Sequence, residues 1–180
     1  MKLYMGKATF DCDELINELK QHEVQPCHGH MELDSSSEFY DERNRQVKML
    51  SDAGYDDNSV EYRHYKSGEH FDERYMKMLG AQLNVNPLMC WVSETRPGKC
   101  VPWHWDINPW EKEHAKLGEV VRFICFLSNP LPGHIFVTAQ DAYYMEEQGS
   151  IYQYTDIYSW HAGSNVGLEP KYLLTLTSYR

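Results

Sequence analysis

The rhythm of apolar and polar positions changes near residue 87. Before it, apolar residues recur at helical spacing. Leu15, Ile16 and Leu19 form a stripe within residues 12–22, with Asp11 as N-cap and Glu14 three residues on completing a capping box. A second helix is predicted from Ser35-Ser36-Ser37 through Met49-Leu50, ending near Gly54. A third is predicted over 69–83, where Phe71, Tyr75, Met78, Leu79 and Leu83 share one side. Between these two, 60–65 alternates like a half-exposed strand. After residue 87, short β-rich runs separated by Gly, Pro and Asn occupy 88–95, 100–107, 119–127, 134–138, 150–154, 158–162 and 171–179.

This pattern predicts a mainly β fold with N-terminal helices (α+β). The expected architecture is a double-stranded β-helix, jelly-roll or cupin-like, with the helices packed outside its sheets. Such a fold needs eight strands, and the eighth is sought in 108–118. The chain reads as a single domain over 1–180, with 1–86 a mainly helical N-terminal layer and 87–180 the β core.

Composition narrows the function. A length of 180 residues allows one substantial core. The net charge of −10 argues against a nucleic-acid partner, because the one basic stretch, Arg43 to Lys48, is broken by Asn44, Gln46 and Val47. No run approaches the roughly 20 apolar residues of a membrane span, and the N-terminus lacks a signal-like stretch, so a cytoplasmic location without membrane partners is expected. Five cysteines, with no Cys-x-x-Cys spacing, support neither a disulfide framework nor a cysteine-based zinc site. The stretch Cys27-His28-Gly29-His30 is read as incidental.

With nine histidines and 27 acidic residues, chance alone supplies roughly one His-x-Asp/Glu pair. Three occur: His30/Glu32, His70/Asp72 and His104/Asp106. His70/Asp72 falls in the third predicted helix, where i and i+2 diverge. His30/Glu32 has no strand context. His104/Asp106 lies in Val101-Pro102-Trp103-His104-Trp105-Asp106-Ile107, where strand geometry points both side chains to one face. His161, followed by a Gly-rich turn, is the downstream partner. Two imidazoles and a carboxylate form the donor set of non-haem Fe(II) oxygenases.

Two cations complete the pattern. Lys171 opens an apolar strand, where an unpaired ammonium is costly and a dicarboxylate ligand would supply the counter-charge. Arg122 is flanked by apolar strand residues and could pair either with a protein carboxylate or with the carboxylate of a cosubstrate or substrate.

His104-x-Asp106, His161 and Lys171, in this order and context, resemble the iron(II)- and 2-oxoglutarate-dependent oxygenase superfamily over roughly residues 87–180. The His-to-Lys interval resembles the prolyl hydroxylase branch, in which the basic residue binds the distal carboxylate of 2-oxoglutarate. The segments 119–127 and 161–167 look more like the aspartyl/asparaginyl β-hydroxylase branch, which implies cosubstrate contacts for Arg122 and Ser93. That branch usually carries Arg where Lys171 stands, and its vertebrate members lack the carboxylate that Asp106 supplies. The resemblance implies Fe(II), 2-oxoglutarate as cosubstrate, O2 as substrate, and hydroxylation of an amino-acid side chain, free or within a peptide or protein, with release of succinate and CO2. Two alternatives stand beside it. One is a cupin-type metalloenzyme without 2-oxoglutarate, drawing on His114 or His134. The other is a non-catalytic jelly-roll binding protein, which leaves Lys171 and Arg122 unexplained.

Overall fold

The structure, a computed structural model, describes residues 2–27, 40–106, 116–154 and 159–180. In chain order its elements are β1 (Leu3–Lys7), α1 (Cys12–Leu19), α2 (Tyr40–Asp52), β2 (Arg63–Lys66), α3 (Arg74–Leu83), β3 (Asn86–Thr95), β4 (Lys99–His104), β5 (Val120–Phe126), β6 (His134–Thr138), β7 (Ala142–Tyr144), β8 (Ser150–Gln153), β9 (His161–Asn165) and β10 (Lys171–Tyr179). They form two antiparallel sheets. The larger runs β1-β8-β5-β10-β3-β2 and the smaller β4-β9-β6-β7. From β3 onward the strands therefore divide evenly: β3, β5, β8 and β10 in one sheet, β4, β6, β7 and β9 in the other.

Period-2 alternation gives the large sheet two different faces. Along β5, Val121, Phe123 and Cys125 turn outward and join Val92, Leu174 and Leu176 beneath Leu15 and Leu19 of α1 and Tyr75 and Leu79 of α3. Helices α1 and α3 thus cover the outer face, as the sequence pattern predicts for the helices. Ile124 and Phe126 turn inward with Leu173 and meet Phe136 and Tyr143 of the small sheet. Arg122 and Lys171 are buried too, without being apolar.

Several boundaries differ from expectation. Helix α1 stops at Leu19, and α3 begins at Arg74 rather than near 69. Ser67 and Phe71 form a β-bridge just before α3, and the Asp72 carboxylate accepts the Arg74 backbone N–H at 2.7 Å. A side chain that takes up an orphan amide at a helix start competes with continuing the helix backward. Strand β9 runs from His161 to Asn165, beyond the expected 158–162. Within the stretch expected as strand over 60–65, Val60 and Tyr62 make isolated bridges to Cys100 and Cys27, and β2 extends from Arg63 to Lys66. The three-residue β7 completes the eight strands after β2. The 108–115 part of the segment in which it was sought, and Ser35-Ser36-Ser37, lie outside the described residues. Residues 1–86 are also less uniformly helical than predicted, because β1 and β2 flank the large sheet at its two edges. Among the described residues, no helix is long and apolar enough to cross a membrane, and all five cysteines are free.

Candidate metal centre

Strand pairing builds the site. Antiparallel β4 and β9 place His104 opposite His161, after a register shift between Val101 and His104. That shift matters because Val101 and His104, three residues apart, both line the same cavity. A regular strand sends i and i+3 to opposite faces, so one extra residue is needed to turn both inward. Pro102 suits such a position because it has no N–H to give the ladder.

The side chains of His104, Asp106 and His161 converge, with one donor atom from each lying within 4.8 Å of the others. The two imidazole rings are oriented by the backbone. His104 Nδ1 lies 2.7 Å from the Pro102 carbonyl and His161 Nδ1 lies 3.0 Å from that of Ser159. Carbonyls only accept, so each Nδ1 carries a proton, and in the neutral ring the Nε2 lone pair is left facing inward. His104 Nε2 is 3.4 Å from Asp106 Oδ1, and His161 Nε2 is 3.7 Å from Asp106 Oδ2. Burial, opposed by the nearby Asp106 charge, pushes the His161 pKa down to about 4. Burial also works against the charge of Asp106, but contacts with His104, His161 and Arg122 outweigh it and hold that carboxyl well below the usual carboxylate range. The donor set therefore suits a divalent first-row metal, whose bonds of roughly 2.0–2.2 Å place neighbouring ligands about 3 Å apart.

The other expected site residues divide. Lys171 and Ser93 line the narrow cavity of about 90 Å³ that contains the triad. Lys171 is 3% exposed, and its Nζ donates to the carbonyls of Ile135 (2.7 Å) and Ser164 (3.1 Å). Among the described residues no carboxylate lies within 4 Å of it, and burial lowers its pKa to about 7. Gly163 makes room for it, since a Cβ there would sit 3.1 Å from Lys171 Nζ. Arg122 is fully buried and is not part of the cavity lining. Its Nη1 donates to Asp106 Oδ2 at 2.7 Å and its Nε to Thr177 Oγ1 at 3.2 Å, with the rings of Trp91 and Tyr154 each 5.9 Å away. Of the two partners open to Arg122 in the sequence, the structure supplies the protein carboxylate.

The remaining histidines play other parts. His134 Nε2 sits 2.9 Å from the Glu169 carbonyl, and His114 lies outside the described residues, as do His30 and Glu32. His70 Nδ1 accepts the Lys66 N–H while Asp72 serves α3, so this pair is separated by two different backbone partners. The helical argument that set them apart in the sequence does not hold, because both precede α3.

His64 is the residue that sequence reasoning missed. It lines the triad's cavity from β2, with its ring centroid 4.6 Å from that of Tyr62, and burial pushes its pKa down to about 4. It stands outside the cluster of converging ligand atoms. The alternation of Tyr62, His64 and Lys66 signals a shared face, but nothing local reveals that β2 pairs with β3.

No protein-family model and no curated protein matches the chain. Solved structures do. A Pseudomonas putida prolyl-4-hydroxylase matches at 12% identity and a TM-score of 0.50, covering 94% of this chain and 99% of that one. A viral collagen prolyl hydroxylase from Paramecium bursaria Chlorella virus-1, in a 2OG complex, matches at 13% identity and a TM-score of 0.44, over 94% and 89% of the two chains. A predicted oxalate decarboxylase from Thermotoga maritima matches at 13% identity and a TM-score of 0.40, over 67% and 82%. The first of these likenesses shows a common fold across nearly the whole of both chains.

Proposed function

We propose that this protein is an Fe(II)- and 2-oxoglutarate-dependent oxygenase that hydroxylates an amino-acid side chain, free or in a peptide or protein, releasing succinate and CO2. The observation that carries the reading is the content of one cavity: two inward-facing Nε2 atoms and a carboxylate at one place, and a buried lysine at another. Two imidazole nitrogens and a carboxylate that converge suit a cation, and a buried ammonium with no carboxylate within 4 Å among the described residues suits an anion. A metal chelated by a dicarboxylic 2-oxo acid answers both. The even division of β3 to β10 between two sheets supports reading those eight strands as a double-stranded β-helix, and we treat the chain as one domain.

On this reading His104, Asp106 and His161 hold the metal, Lys171 pairs with the distal carboxylate of 2-oxoglutarate, and Ser93 borders the same molecule. When bound, iron and 2-oxoglutarate supply the means to use O2 on an unactivated C–H bond. The protein's part is to orient and shield. A larger cavity of about 570 Å³ shares His64, Trp91 and Asp106 with the inner one and is also lined by Lys66, Met76, Leu88 and Met89. The substrate approaches through it, between β2, β3 and α3.

Anaerobic titration with Fe(II) and then 2-oxoglutarate tests the proposal. A weak visible charge-transfer band should develop and saturate with one equivalent of each. Metal retention without the band would favour a cupin-type enzyme that does not use 2-oxoglutarate. Absence of metal retention would leave only the non-catalytic reading.

A further inference from the structure

Three residues line both cavities and so form the neck between them: His64, Trp91 and Asp106. Asp106 belongs to the proposed metal site, and the ring of Trp91 lies 5.9 Å from the Arg122 guanidinium. His64 holds neither metal nor cosubstrate on that reading. Its place follows from strand register. β2 is an edge strand of the large sheet, and its pairing with β3 sets His64 opposite Ser93, which in turn stands opposite Leu173 of β10. Residues directly opposite one another share a face of the sheet. Leu173, Ser93 and His64 therefore make one rung that lines the inner cavity, with His64 at its outer end.

The half-buried imidazole is flanked by rings, with the centroids of Tyr62 and Trp91 at 4.6 Å and 6.4 Å. Among the described residues, no hydrogen bond reaches either ring nitrogen. Burial keeps the ring uncharged at neutral pH, and a cation in the triad would oppose its protonation further. A neutral imidazole carries one donor and one acceptor. A polar group so sheltered gains most from a partner that arrives with a ligand.

The charged groups of the outer cavity are placed differently. Lys66 pairs with Glu69 at 3.6 Å and Glu73 with Lys77 at 3.0 Å, and all four side chains are more than half exposed. Met76, Leu88 and Met89 give the same cavity an apolar wall. A free amino acid brings an ammonium and a carboxylate, and burying either at the neck without a partner is costly. An amide brings a donor and an acceptor and no charge. We infer that His64 is a substrate-binding residue whose imidazole hydrogen-bonds an uncharged amide of the substrate beside the carbon to be oxidised, so that the site discriminates against the charged head group of a free amino acid. The inference rests on the oxygenase reading and narrows it to a residue held in amide linkage. The outer cavity, at about 570 Å³, lies within the size range of pockets that enclose drug-sized ligands, with room for such a residue and its flanking amides.

The test uses the full chain loaded anaerobically with Fe(II) and 2-oxoglutarate, whose visible band reports a molecule arriving beside the metal. The probes are the proteinogenic amino acids in two forms, free and capped as N-acetyl N-methylamides. At least one capped probe should perturb the band at concentrations where its free counterpart does not. For that probe, His64→Leu should weaken binding about two- to tenfold, the loss of one hydrogen bond, with Fe(II) and 2-oxoglutarate affinities unchanged. His64→Gln, which keeps a donor and an acceptor, should recover part of the loss. Free amino acids binding as well as capped ones, or no capped probe perturbing the band, would overturn the inference. So would a His64→Leu that binds the probe like wild type, one that loses 2-oxoglutarate instead, or a His64→Gln that recovers nothing. If His64→Leu fails to fold, the comparison of capped and free probes on wild type decides alone. Wild-type protein that develops no band with Fe(II) and 2-oxoglutarate would refute the oxygenase reading itself, a result distinct from all of these.

Discussion

Two cations lie buried on the inner face of the same sheet, and their surroundings could hardly differ more. Arg122, on β5, has a carboxylate 2.7 Å away. Lys171, at the start of β10, has two backbone carbonyls and, among the described residues, no carboxylate within 4 Å. Burying a charge is tolerable only when something nearby answers it. Arg122 is answered by the protein itself and belongs to the standing structure. Among the described residues Lys171 is answered by backbone dipoles, and burial brings its pKa down to about 7. A buried ion pair marks a part the fold depends on; on the proposed reading, the buried Lys171 marks a place kept for a ligand.

The sharpest way to break this comparison is to remove the carboxylate. Asp106→Ala should abolish metal retention and destabilise the ion-free protein by about 3 kcal/mol, because it removes a carboxylate that a fully buried guanidinium holds at 2.7 Å. Chemical denaturation should show that loss, whereas His104→Ala and His161→Ala should abolish retention at a much smaller cost. If Asp106→Ala melts like wild type, Arg122 and Asp106 are not the structural pair described.

Lys171→Met should do the reverse. The ion-free variant should be as stable as wild type or more so, with Fe(II) retention intact, while 2-oxoglutarate binds about ten- to a hundredfold more weakly. A variant that unfolds readily but binds the cosubstrate normally would make Lys171 a structural cation as well.

A pH series sharpens the same point with a smaller signal. The folded Lys171 gives up its proton near pH 7, whereas the unfolded lysine keeps it to about pH 10.4. Between those values the unfolded chain holds more protons, so native stability should rise with pH across that window, and Lys171→Met should remove this contribution. At pH 8, moreover, pairing with a carboxylate should draw a proton onto Lys171. Calorimetry of 2-oxoglutarate binding in buffers of different ionisation enthalpy should register uptake in wild type and none in Lys171→Met. The smallest effect is expected from Gly163→Ala. Its added methyl would meet the flexible end of Lys171 at 3.1 Å, so the ammonium should shift slightly and the cosubstrate affinity fall a few-fold, with stability hardly changed.

What the sequence revealed follows from how local each signal is. The strands over 134–138 and 171–179 have the predicted bounds because each is a β-rich run unbroken by Gly or Pro. Helix α3 starts late because a bridge and a cap, neither visible as periodicity, occupy the residues before it. The short β7 has too few residues to alternate recognisably. At the site, His104 and Asp106 do converge, although β4 ends at His104 and Asp106 follows it rather than sharing the expected strand, and the burial of Lys171 could be anticipated. The partner of Arg122 could not, since Asp106 lies sixteen residues away and reaches it only through the packing of two sheets. His64 was hidden for a similar reason: its place depends on which strand β2 joins.

The pairing of His104 with His161 across β4 and β9 has one more implication. Strands that slip by a single residue can keep their backbone hydrogen bonds but exchange their faces. A chain closed one residue out of register would look folded by its secondary structure and compactness, yet one imidazole would point away from the other. Ion uptake would then act as an inspection of the finished sheet, admitting only molecules whose final closure is correct. A metal titration of freshly refolded protein would count the properly assembled molecules in a way that a melting curve cannot.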